Sequence, residues 1–114
     1  MEKRKHLRIA MENLSVDIAD GVGFFQGMVS DVSRFGICMT DLPKRINGDA
    51  EKMTIVVSGR AGHFKMNVRP RWYTQGGARR FVGVEIMDVP RDWIEFVMNF
   101  EALLHNDIKG EIRL

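Results

Sequence analysis

The chain has 114 residues, of which 45% are hydrophobic and 28% charged, with a formal net charge of +2. That length suits one domain with a core of its own and no disulfide staples. The ordinary composition argues against a disordered chain, and no apolar run is long enough to span a membrane.

The positive charge is uneven. Lys3, Arg4, Lys5 and Arg8 crowd the start, and Arg69, Arg71, Arg79 and Arg80 form a second group. Local patches of this kind suit an anionic partner. Cys38 is the single cysteine, which excludes an intrachain disulfide and a cysteine-based metal site. It reads as a buried, inert thiol. The charged first residues lack an apolar h-region, so a reducing, cytoplasmic setting is expected.

In chain order, residues 1–10 read as a basic arm. Leu14, Val16 and Ile18 alternate with polar residues, the period of a half-buried strand. Asp20-Gly21-Val22-Gly23 is a turn, and Phe24 to Ser30 returns as the second strand of a hairpin. Gly36 to Thr40 is a short third strand. Leu42 to Lys52, with Pro43 and Asn47-Gly48, reads as a loop. Met53 to Ser58 is a β-branched strand. Phe64, Met66 and Val68 alternate cleanly with Lys65, Asn67 and Arg69. Pro70 cannot donate to a ladder and marks an edge or a bulge there. Thr74 to Ala78 is a hairpin loop, and Arg80 to Met87 a sixth strand. Trp93, Phe96, Val97, Phe100, Leu103 and Leu104 then recur at helical spacing behind Pro90. The domain is expected to span 11–106, and residues 107–114 to form a tail or an added strand. Six strands with short turns and one helix fit a small antiparallel β-barrel, mainly β, whose closure removes exposed edges.

Two motifs stand out. Arg4-Lys5-His6-Leu7-Arg8 places two guanidinium groups four residues apart, on one face of either a helix or a strand. Each can bond phosphate oxygens bidentately or stack on a purine. Asp31-Val32-Ser33-Arg34-Phe35-Gly36 places a carboxylate and a hydroxyl two residues apart, on one side of a strand. A carboxylate matches the adjacent N–H donors of a guanine edge, and the hydroxyl donates or accepts. Gly36 is expected to supply positive φ and a close backbone approach.

In this order the two motifs resemble the signature of the PilZ domain family, whose members bind the bacterial second messenger cyclic di-GMP. Phe81-Val82-Gly83-Val84-Glu85-Ile86 is similar to the family's last strand. The resemblance runs from the arm to the terminal helix and implies a six-stranded PilZ-type barrel. It implies a ligand site at Arg4, Arg8, Asp31, Ser33 and Gly36, with the turn as one wall and the arm as the other. Lys3 stands where an arginine favours a stacked ligand pair in the family, so stoichiometry stays open. Arg34 either reaches a phosphate or faces solvent. Trp72 either resembles an aromatic placed near a guanine or, by its parity with Phe64, Met66 and Val68, belongs to the core. Arg69 and Arg71 fall on the opposite face and read as surface charges.

The expectation is a non-enzymatic receptor for cyclic di-GMP, without other cofactor, that signals to a separate downstream effector protein by ordering its arm. His6, His63 and His105 lack metal-ligand spacing, and no catalytic constellation, P-loop or dinucleotide fingerprint is visible. One alternative is a small barrel binding nucleic acid, motivated by the arginines but opposed by aromatics that mostly follow core parity. Another is an interaction protein of the same fold without the ligand. The apolar helix and the tail could also support a homodimer.

Overall fold

The computed structural model describes residues 7–74, 77 and 79–112, with residues 105–112 described by their backbone alone. Among the described residues seven strands precede one helix: β1 (Ile9–Ala10), β2 (Ser15–Ala19), β3 (Phe24–Val32), β4 (Gly36–Pro43), β5 (Met53–Gly59), β6 (Gly62–Tyr73), β7 (Arg79–Met87) and α1 (Arg91–Ile112). All strand pairs are antiparallel. The order β3-β2-β5-β6-β7-β4 returns to β3 through a β3–β4 pairing, which closes a six-stranded barrel. The expected barrel is therefore present.

The seventh strand lies within the segment that reads as arm in the sequence. β1 pairs Ile9 with Val32 and Ala10 with Asp31, along the same edge of β3 that β2 occupies from Phe24 to Met28. The reason is apolar: Ile9 is buried in the barrel core, and Met11 N–H donates to the Ser30 carbonyl at 2.9 Å. The arm thus ends in a strand fixed beside the Asp31–Gly36 turn.

The alternation read from sequence places the core correctly. Val16 and Ile18, Ile55 and Val57, Phe64, Met66 and Val68, and Val82, Val84 and Ile86 all point into the barrel. A register shift between Pro70 and Trp72 breaks the alternation in β6. This bulge turns Trp72 outward, half exposed, so the core reading of Trp72 is wrong. β4 runs three residues further than the expected strand, to Pro43. It does so across a second register shift between Met39 and Leu42, where Asp41 adopts φ 62°. Leu42 is thereby fully buried rather than in a loop.

Cys38 lies between Ile37 and Met39, which both fill the core. It therefore faces outward, paired with Asp31 on one side and Gly83 on the other. It is buried all the same.

α1 lays an aromatic row against the barrel. Trp93 meets Phe64 edge-on at 5.4 Å between centroids, and Phe96 lies tilted at 4.9 Å from Phe64 and meets Phe100 edge-on at 5.1 Å. The apolar stripe stops contributing there, since Leu103 and Leu104 are exposed rather than laid on the sheet. The helix nevertheless continues to Ile112, through residues the sequence assigns to a tail. Gly110 lowers helix propensity by only about 1 kcal/mol, and no proline interrupts the segment. No helix among the described residues is long and apolar enough to cross a membrane.

Candidate functional site

The end of β3, the turn after it and the start of β4 bring most of the motif together. Arg8 stands one residue before β1 and so lies beside the turn. Its Nε donates to Asp31 Oδ1 at 2.7 Å, and Nη2 of the same guanidinium edge contacts that oxygen too. Nη1, at the other end of the fork, lies 3.5 Å from where a Cβ on Gly36 would stand. One edge of Arg8 is thus held by the carboxylate while its tip points to the glycine. Such a pre-set guanidinium loses less freedom on meeting an anion.

Ser33 is buried and sits inside the turn rather than on the strand. Its N–H donates to the Gly36 carbonyl at 2.9 Å, and its hydroxyl approaches the same oxygen at 3.5 Å. Gly36 is absent from the positive-φ residues, so its expected conformational role does not hold. What it supplies is space: an added Cβ would lie 3.2 Å from the Val84 carbonyl and 3.5 Å from both Arg8 Nη1 and Ser33 Oγ.

Arg8, Ser33 and Gly36 line a depression of about 230 Å³ together with Arg71, Trp72 and Gly83. Trp72 lies across Gly83, where an added Cβ would stand 2.3 Å from the indole. Gly83 therefore forms a floor on which the ring rests, and the pocket gains an aromatic wall. Arg71, beside Trp72 on the same outer face, also lines this pocket, loosely paired with Glu85 at 3.8 Å. Arg71 keeps the outer face that simple alternation gives it, and Trp72 is the residue for which alternation carried past Pro70 fails. Pro70 itself was the signal that the alternation should fail.

Arg34 does not line the pocket. Its Nε and Nη2 grip the Glu101 carboxylate on α1, with distances of 2.8–3.2 Å. The hydrogen bond and the charge of Glu101 hold the guanidinium pKa above its ordinary value. Lys3 and Arg4 lie outside the described residues.

A larger surface depression, about 790 Å³, opens at the other end of β3 and includes Phe24, Arg45 and Arg79. It contains none of the motif residues, and size alone does not make it the site. That end is braced by Asp20, whose buried carboxylate accepts the N–H groups of Val22, Gly23 and Asn47 at 2.8–2.9 Å. Burial by itself raises the Asp20 pKa, but the amides of Asn47, Gly23 and Val22 outweigh it and the net shift is downward. No group of acidic, histidine or cysteine side chains suited to a metal ion occurs among the described residues.

Solved structures with this architecture decide the fold. The PilZ domain of Escherichia coli YcgR, determined with c-di-GMP, matches with a TM-score of 0.72 at 12% identity, covering 98% of both chains. The chain has the PilZ fold. The Bacillus subtilis inhibitor of motility MotI/DgrA matches with a TM-score of 0.73 at 11% identity, over 94% of this chain and 53% of that one. Borreliella burgdorferi PlzA in complex with c-di-GMP matches with a TM-score of 0.67 at 12% identity, over 90% of this chain and 52% of that one. The chain thus spans about half the length of these two chains. No family model matches the sequence, and no curated protein matches it.

Proposed function

We propose that this PilZ-fold chain is a non-catalytic receptor for cyclic di-GMP. The observation that carries the reading is the convergence of Arg8, Asp31, Ser33 and Gly36 on one end of the barrel, beside the outward Trp72. The residue chemistry fits each part of the ligand. Arg8 offers Nη1 to a phosphate, Asp31 offers a carboxylate to a guanine N–H edge, and Trp72 offers a ring face. The 230 Å³ depression is smaller than the ~300–1,000 Å³ of typical enclosed ligand pockets. It suits one base and its phosphate, with the arm that carries Lys3 and Arg4 supplying the second wall. In this account ligand orders the arm, and the new surface is read by a partner protein. Ligand shifts that equilibrium only by its preference for the closed arm.

Calorimetric titration with cyclic di-GMP tests the reading. The parent should bind saturably, and Arg4→Ala, Arg8→Ala and Asp31→Ala should each lose affinity. No heat from the parent at millimolar ligand removes the proposal, and unchanged binding by all three variants removes the site assignment.

One observation favours a second reading. Trp72 and Phe81 are both exposed on the outer side of the barrel, near the arginines of β6. Exposed aromatics beside arginines also suit single-stranded nucleic acid. Salt-dependent retention of single-stranded DNA or RNA in a gel shift, without cyclic di-GMP binding, would favour it over the first.

A further inference from the structure

The turn that carries the site is tied to α1 at two points. Trp93, fully buried near the helix start, donates its indole N–H to the Ser33 carbonyl at 3.3 Å. Eight residues along the helix, Glu101 grips the Arg34 guanidinium through both carboxylate oxygens. The Phe35 carbonyl, two residues after that of Ser33, accepts Ile86 N–H from β7 at 2.9 Å. Ser33, Arg34 and Phe35 are thus each held from outside the turn, two of them by the same helix.

The Arg34–Glu101 contact has a further property. Past Phe100 the helix exposes Leu103 and Leu104. Glu101 is therefore the last residue of α1 for which a described bond reaches the barrel. Whatever shifts the turn acts on the outgoing half of α1 through this contact.

We propose that Glu101 is a positioning residue for the candidate site: through Arg34 it sets the shape of the Asp31–Gly36 turn and couples ligand occupancy to the outgoing half of α1. The inference rests on the cyclic di-GMP reading above. Coupling of this kind is reciprocal, so ligand should in turn hold the helix more firmly.

The sign of one substitution decides the matter. Glu101→Gln removes the negative charge and one of the two oxygens that hold Arg34, and so loosens the grip. If Glu101 acts only through its charge, binding of an anionic ligand should tighten. If it positions the turn, binding should weaken, by about fivefold or more. The experiment is calorimetric titration of the parent, Glu101→Gln and Glu95→Gln with cyclic di-GMP, with the melting temperature of each free protein. Glu95 is exposed on the same helix and controls for the lost charge. Weaker binding by Glu101→Gln alone, with melting temperatures alike, supports the proposal. So does slower amide exchange at 100–104 in the liganded parent. A parent that binds while Glu101→Gln binds equally or more tightly overturns this inference alone. A parent that takes up no ligand overturns it together with the reading it rests on.

Discussion

At the scale of single residues, the site depends on two glycines that admit something rather than on glycine flexibility. Gly83 carries the Trp72 indole, and the ring would stand 2.3 Å from a Cβ there. Trp72 is half exposed, so its ring can swing into solvent when Gly83→Ala is introduced. The expected result is a red-shifted tryptophan emission and weaker ligand binding with little loss of stability. Fluorescence and thermal melting check it, and Trp93, fully buried, supplies a constant background. Asp31 is expected to matter more. Hydrogen bonds to charged groups contribute about 1.5–3 kcal/mol, so Asp31→Ala should cost at least tenfold in affinity. Asp20 belongs to the opposite end and to stability. Its three amide donors would lose their acceptor in Asp20→Ala, at a cost of about 2–3 kcal/mol. Its folded pKa lies below the ordinary value. That contribution is therefore complete above the unfolded pKa of about 3.9 and lost as pH falls through the lower folded value. The gap in melting temperature between parent and Asp20→Ala should hold at neutral pH and shrink below about pH 4.

At the scale of elements, the regular parts were readable and the irregular ones were not. The alternation of Phe64, Met66 and Val68 fixes the inner face of β6 as far as Val68. Past Pro70 a single bulge breaks it, so Trp72 turns outward and joins Arg71, which stays on the exposed face. Periodicity cannot locate a bulge, although proline announces one. The same limit hid the tail of β4, where a register shift and the positive φ of Asp41 carry Leu42 into the core. β1 was unreadable for a different reason. Two residues give no period, and Ile9 shows its role only when β3 is beside it. The helix start was legible from Pro90 and the spacing of Trp93, Phe96, Val97 and Phe100. Its reach was not, because Leu103 and Leu104 continue the stripe without a surface to cover. Trp93 should dominate the stability of α1 on the barrel. Trp93→Ala should cost about 3–5 kcal/mol. Trp93→Phe, which keeps most of the volume but loses the bond to Ser33, should melt closer to the parent and still bind ligand less well.

At the scale of the whole molecule, the barrel separates two ends. One gathers Arg8, Asp31, Ser33, Gly36 and Trp72 beside α1, and the other holds the wider depression near Phe24 and Arg45. The motif pair was legible in sequence because its residue types are few and their spacing short. Their meeting was implied by the family resemblance alone, and the means was not legible: β1 brings Arg8 against β3 from the other side of a hairpin. The most direct test is amide and indole NMR during titration with cyclic di-GMP. The account predicts saturable shifts at Arg8, at Asp31 to Gly36 and at the Trp72 indole, with the Phe24–Arg45 end unmoved. No shifts at millimolar ligand, or shifts confined to the Phe24–Arg45 end, would contradict it.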